Sequence, residues 1–291
     1  MSSLLPATFP MDSLVFAAVL FAAACHAGWN AAIKRGLDPL ATTIAIAVGS
    51  GVVAVPLLAF TGVPATAAWP WVIASVLIHL VYFAALIESY RAGDMGQVYP
   101  IARGSAPLLT AAGSALVVGE HIAVVAWIGI VLLAGGVVLL SLRGGRDLAR
   151  LDRRAVGFAL FTAMTICGYS LVDGLGARIS GDAHAYTAAM FFGNGMVMAT
   201  YALLRRGPAA FAGMMRQWQI GLVGGTLSYV AYAIVIWAMT IAPIAIVAAL
   251  RETSVLFGAL IAVVVLGEPL RAVRIAAAVA IVIGLALIRL H

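Results

Sequence analysis

Apolar residues fill this chain in runs of about 20, far longer than the alternation of a strand or the stripe of a surface helix. A helix rising 1.5 Å per residue needs about 20 such residues to cross a hydrocarbon core of about 30 Å. The pattern predicts ten spans, at roughly 13–36, 39–60, 69–90, 96–118, 121–142, 155–177, 184–204, 218–240, 243–266 and 270–290. Most connections are a few residues long, which leaves no separate soluble domain. No Gly-rich phosphate loop ending in Gly-Lys-Ser/Thr occurs, which argues against ATP-driven pumping by this chain alone. Composition agrees with the pattern: 64% hydrophobic residues, 10% charged and a mean hydropathy of +1.10, against about 25% charged in a soluble domain. Leu14 to Ala24 has the apolar content of a signal peptide but no Lys or Arg before Lys34, so it is read as the first span. The expected fold is therefore all-α and integral to a membrane.

The charge changes the picture through its placement. The excess of base, +6 overall, suits nucleic acid only if it is clustered on one soluble face. Instead, 13 of the 17 Lys and Arg fall in the segments after spans 1, 3, 5, 7 and 9: Lys34, Arg35, Arg91, Arg143, Arg146, Arg150, Arg153, Arg154, Arg205, Arg206, Arg216, Arg271 and Arg274. The other side holds Arg178 and Arg289. The positive-inside rule makes the first set cytoplasmic and both termini external, with no nucleic-acid partner. Trp69, Trp71, Trp127 and Trp218 stand near span ends, where an aromatic belt is expected. Cys25 and Cys167 form no CxxC pair and are read as buried small hydrophobes.

The two halves repeat one another. Arg103 matches Arg251 at an offset of 148, as do Gly119-Glu120 with Gly267-Glu268 and Gly136 with Gly284. FAAACHAGW, Phe21 to Trp29, resembles FTAMTICGY, Phe161 to Tyr169, at an offset of 140. Halves 1–150 and 151–291 then hold five spans each, and an odd number forces the second copy to enter from the opposite side. Inverted repeats place substrate sites near the midplane at their interface.

The end of each half, YPIARGSAPLLTAAGSALVVGEHIAVVAWIGIVLLAGGVVLL and IAPIAIVAALRETSVLFGALIAVVVLGEPLRAVRIAAAVAIVIGLALI, leads a loop into a helix, a Gly-Glu turn and a closing Gly-containing helix. In this the chain resembles the drug/metabolite transporter superfamily, ten-helix EamA type, over essentially its whole length. The resemblance implies a helix-only transporter of the bacterial cytoplasmic membrane working by alternating access. It leaves the solute open, since the superfamily includes exporters of amino acids as well as sugar-nucleotide and triose-phosphate carriers.

Arg103 and Arg251 fall near mid-membrane, where a charge persists only facing protein or water. Each either holds a substrate carboxylate or phosphate through its planar fork of donors, or locks helices by pairing with Glu88, Asp173 or Glu252. Adjacent residues on a helix point about 100° apart, so Arg251 and Glu252 are not expected to share a face. Pro100, Gly104 and Pro107 are expected to distort span 4 around its arginine. His79, Tyr82 and Leu86, at i, i+3 and i+7, predict an inward-looking lining on span 3. Tyr99 of span 4 and Tyr229, Tyr232 and Trp237 of span 8 supply aromatic walls or fill the core. Trp29-Asn30 and Tyr169-Ser170 are repeat-related polar-aromatic pairs, and Asn30 suits either an amino acid's backbone or a helix–helix hydrogen bond. Asn194, in FFGNGMVM, has the same two uses. Glu120 and Glu268 read as acids starting the helices that follow them. Because Glu88, Asp173 and Glu252 are the only acids within the spans and an arginine is available to each, downhill or exchange transport without an obligatory ion is expected.

The leading expectation is thus a secondary transporter exporting small metabolites, amino acids with aromatic or bulky apolar side chains foremost, through a central midplane cavity. It acts as a monomer or weak dimer with a small-molecule substrate and the lipid bilayer as partners, and without cofactor or metal. The alternatives are a transporter of sugar-nucleotides, phosphorylated metabolites or drugs, and, from another class, an intramembrane enzyme. Against the enzyme, no HExxH occurs and the five histidines are dispersed. A scaffold that merely oligomerises leaves the mid-membrane arginines without purpose.

Overall fold

The computed structural model describes residues 11–35, 39–92, 95–141, 152–216, 218–264 and 272–290. They form twelve α-helices: α1 (Ser13–Arg35), α2 (Pro39–Thr61), α3 (Trp69–Ala92), α4 (Met95–Gly113), α5 (Val124–Ser141), α6 (Arg153–Ser180), α7 (Ala183–Arg206), α8 (Ala209–Arg216), α9 (Trp218–Ile241), α10 (Ile244–Arg251), α11 (Ser254–Val264) and α12 (Ala272–Arg289). Helices are what lipid demands, because a backbone N–H or C=O in hydrocarbon has no partner outside its own segment. Among the described residues nine stretches are long and apolar enough to cross a membrane, α10 and α11 counting as one, and Val124–Leu140 is a shorter apolar helix. Large apolar side chains such as Phe21, Phe60, Leu77, Val131, Phe161 and Val223 point outward, as expected of helices solvated by lipid.

Two departures from the expected elements matter. The ninth span is broken: α10 ends at Arg251, Glu252 N–H and Thr253 N–H donate to Ala249 and Leu250 carbonyls at 3.0 and 3.1 Å, and α11 begins at Ser254. Span 4, in contrast, runs as an unbroken helix through Pro100, Gly104 and Pro107 and departs from α geometry only in a π turn at Ser114–Val118. The eight-residue α8, between the seventh and eighth spans, was expected as a plain connection.

The packing follows the repeat. α2 meets α7, and α5 meets α12, across positions where glycine removes the side chain. A Cβ on Gly195 would stand 2.8 Å from Gly51 Cα, and one on Gly284 would stand 2.6 Å from the Gly129 carbonyl oxygen. Small residues let backbones approach where no hydrophobic force drives helices together. Around these contacts α1 packs on α9 as α3 packs on α6, an exchange of equivalent pairs between halves. α6 and α7 start at Asp152 and Asp182, whose carboxylates accept from Arg154 N–H at 2.8 Å and from His184 and Ala185 N–H at 2.7 and 3.2 Å, the usual N-cap contact.

Candidate functional site

Where α3, α6, α7, α9 and α10 converge, the structure collects rings and charges. Tyr169 of α6 is the hub. His79 of α3 stacks on it at 4.4 Å between centroids, while Tyr82 and Tyr232 present edges at 5.8 and 6.1 Å. Such offset and edge arrangements are the favoured ones for aromatic quadrupoles. His79 Nδ1–H donates to the Ser75 carbonyl one turn back at 2.9 Å, which leaves Nε2 as the ring's acceptor nitrogen. Phe191 of α7 continues the wall, 6.1 Å from Tyr232 and 5.0 Å from Tyr229.

Opposite charges sit at the two ends of this cluster. The Arg251 guanidinium carbon lies 5.5 Å from the Tyr169 ring centre and 5.7 Å from that of Tyr232, and its Nη2 donates to the Tyr169 hydroxyl at 3.3 Å. Its Nε–H has no acceptor among the described residues, nor has Nε1–H of Trp29 on α1; α1 packs against α10 and α11. At the other end Asp173, with no exposed surface, accepts from the Tyr186 hydroxyl at 3.0 Å and the Tyr232 hydroxyl at 2.5 Å. Asp173 is therefore held by phenols, where an arginine partner was expected. Tyr232 touches both ends.

Arg103 occupies a different setting. Its Nε is 2.8 Å from Glu252 Oε2, and Nη2 donates to Ser254 Oγ at 3.0 Å. Glu252, fully buried, also faces Arg251 Nη2 at 3.7 Å through Oε1. The expectation that Arg251 and Glu252 cannot share a face fails because the helix ends between them. Two guanidiniums thus share one carboxylate, with the α10–α11 break supplying the geometry.

The remaining candidates scatter. Asn30 donates to the His26 carbonyl of its own helix at 2.8 Å, and Ser170 to Ile166 at 2.7 Å. Asn194 points at Met190 Sδ at 3.0 Å, again within its helix. Trp237 packs against both large apolar clusters, one of which contains Tyr186, Phe191 and Tyr229. Tyr99 lies on α4, and its side chain, like Glu268 altogether, lies outside the described residues. Among the described residues no group of His, Cys, Asp and Glu is arranged to hold a metal ion. Asp173 and Tyr186 join the cluster in addition to the lining residues expected from the sequence. The signal was there: in GYSLVDG, Tyr169 and Asp173 stand at i and i+4, one helix face, and a carboxylate inside a span is a functional candidate by default.

A bundle of membrane-crossing helices in two repeats, with a ring-lined polar cluster at their interface, defines a multi-pass transporter of small solutes. The EamA-like transporter family profile matches residues 13–142 and again 154–290, and the chain belongs to that family. Members of the family are membrane transporters, and the chain accordingly sits in a bilayer and binds a small-molecule substrate. A solved crystal structure superposes with a TM-score of 0.68 at 19% identity, covering 94% of this chain and 95% of its own, which shows the shared fold. No curated protein sequence matches the chain significantly.

Proposed function

We propose that the chain exports small zwitterions, amino acids with aromatic or bulky apolar side chains above all, across the bacterial cytoplasmic membrane by alternating access, as a monomer or weak dimer with both termini outside. The observation that carries the reading is the placement of Arg251 and Asp173 at opposite ends of the Tyr169–Tyr232 pair. A substrate carboxylate finds the unpartnered Nε–H of Arg251. Its ammonium finds Asp173, and its side chain finds the rings of His79, Tyr82, Tyr169 and Phe191. Arg103, by this reading, is the helix lock. A phosphorylated solute or sugar-nucleotide fits less well, because Asp173 repels the extra negative charge that Arg251 attracts.

Flux in proteoliposomes tests this directly. Labelled phenylalanine is expected to exchange saturably, and unlabelled phenylalanine to compete better than phenethylamine or phenylpropionate, each of which keeps only one charge. Equal competition by all three would remove the two-ended site, and competition by phosphorylated sugars alone would replace the solute class. His79→Ala combined with Tyr82→Ala is expected to impair flux while leaving the bundle folded; a fully active double variant would move the site elsewhere.

A further inference from the structure

Glu120 was expected to start α5. The structure puts it to another use. Gly119, in the left-handed conformation at φ 77°, turns the chain back, so that Glu120 is 4% exposed beside the C-terminal end of α6. Its Oε1 accepts from Ile244 N–H at 2.9 Å and from Arg178 Nη2 at 2.8 Å. Its Oε2 accepts from Ala245 N–H at 3.4 Å and from the Ser114 hydroxyl. Arg178 in turn donates from Nε to the Met239 carbonyl at 2.9 Å and from Nη2 to the Ala242 carbonyl at 3.1 Å.

One carboxylate from the first half therefore caps α10 of the second, and the guanidinium beside it closes the end of α9. Pro243, at the N-cap of α10, gives no side-chain cap of its own, so the orphan N–H groups and the positive end of that helix depend on a residue from the other half. α10 is eight residues long and buried throughout, about 12 Å at 1.5 Å per residue. Its first residue rests on Glu120 and its last is Arg251. Beside its start, Gly174 of α6 leaves room for Ile244, whose Cδ1 would stand 2.5 Å from a Cβ there.

We propose that the Glu120–Arg178 contact is a gate latch between the halves on this face, and that Glu120 acts through α10 as a positioning residue for Arg251. Opening the face to release solute separates the α4–α5 turn from α6, α9 and α10; Glu120 holds α6 and α10 directly and α9 through Arg178. Because α10 is a short rigid rod, movement at Glu120 reaches Arg251 without passing through lipid-facing surface. The second part rests on the proposed role of Arg251 in binding; the first does not.

The test uses spin labels at His121→Cys and Ile241→Cys, exposed positions on the α4–α5 turn and the end of α9, in a Cys25→Ala, Cys167→Ala background in nanodiscs. The wild-type contact is expected to give a short inter-label distance. Glu120→Gln and Arg178→Gln are expected to shift the population to longer distances, while Arg178→Lys, which keeps the cation, holds the short one. Distances unchanged in both Gln variants, with only a lower melting temperature, would reduce the contact to static packing and overturn the latch. If Glu120→Gln fails to fold, Arg178→Gln, which leaves the α10 cap in place, gives the same decision. Saturating phenylalanine is expected to shift the wild-type distribution. If it neither shifts the distances nor is transported while the Gln variants still open, the substrate reading fails and the latch stands. If it is transported with normal KM by Glu120→Gln, the positioning role of Glu120 is lost.

Discussion

Arg103 and Arg251 are the same residue of the repeat placed in two different surroundings. Arg103 stands within an unbroken α4, its guanidinium taken up by Glu252 and Ser254. Arg251 is the last residue of a broken span, shares Glu252 at the longer distance of 3.7 Å, and turns the rest of its donors toward two tyrosine rings. The duplication supplied two mid-membrane cations and Glu252 partners one of them closely. The other is left with an open donor beside an aromatic wall. Symmetry in the sequence thus becomes a difference in surroundings through one helix break and one unduplicated acid: Arg103's neighbour at the matching position is Gly104, where Arg251 has Glu252.

The sharpest way to break this contrast is to remove the shared acid. Glu252→Gln removes the carboxylate that two buried guanidiniums share, and the expected loss is about 3–5 kcal/mol, the cost of stripping one partner from a buried pair. Melting in detergent and the yield of folded protein read it directly. A variant as stable as the parent would mean that the arginines are neutralised elsewhere, and the distinction between them would fall with it.

Much of this was legible in the sequence, for reasons that differ by region. The span positions were readable because a bilayer fixes the length and polarity of each crossing. The His79–Tyr82 face was readable because an imidazole and a phenol have no partners in lipid. The helix break was not. YPIARGSAP carries two prolines and a glycine yet α4 continues through them, with Gly104 seated where a Cβ would meet Val138 and the Ala134 carbonyl of α5. VAALRETSV has neither proline nor glycine yet breaks, because Glu252 is drawn to an arginine far earlier in the chain while Thr253 Oγ1 donates back to the Leu250 carbonyl at 2.7 Å. Local propensity is a weak guide where tertiary contacts decide. Most partners of Glu120 were hidden for the same reason, since Arg178, Ile244 and Ala245 come from the second half.

Arg103→Met asks whether the first arginine is only a lock. It removes a hydrogen bond and a close ion pair to buried groups, but leaves Glu252 facing Arg251, so the expected loss is about 1.5–3 kcal/mol, the worth of hydrogen bonds to a charged group. Transport per folded molecule is expected to persist. A stable Arg103→Met that no longer moves phenylalanine would assign the substrate to Arg103 and reverse the comparison.

Arg251→Met is the complementary case. Its cation–π contacts to Tyr169 and Tyr232 contribute about 1–2 kcal/mol in a desolvated setting, so a modest lowering of the melting temperature is expected. Flux should respond out of proportion, with zwitterion exchange lost and any residual transport shifted toward phenethylamine, whose ammonium still finds Asp173. A loss of stability matching that of Glu252→Gln, with flux intact in the molecules that remain folded, would make both arginines structural.

The smallest effect belongs to Ser254, the hydroxyl that takes the second Arg103 donor at 3.0 Å. Ser254→Ala leaves the Arg103–Glu252 pair intact and removes one hydrogen bond to a cation in a site that is 4% exposed, so about 1.5 kcal/mol is expected, the lower end for a hydrogen bond to a charged group, with no change in flux or in the order of competitors. The value of so mild a variant is that it perturbs only the Arg103 side of the shared carboxylate. If Arg103 and Arg251 are separable, loosening Arg103 leaves KM for phenylalanine where it was. If KM moves with Ser254, the two arginines and Glu252 respond as one unit, and the site extends from Ser254 to Asp173.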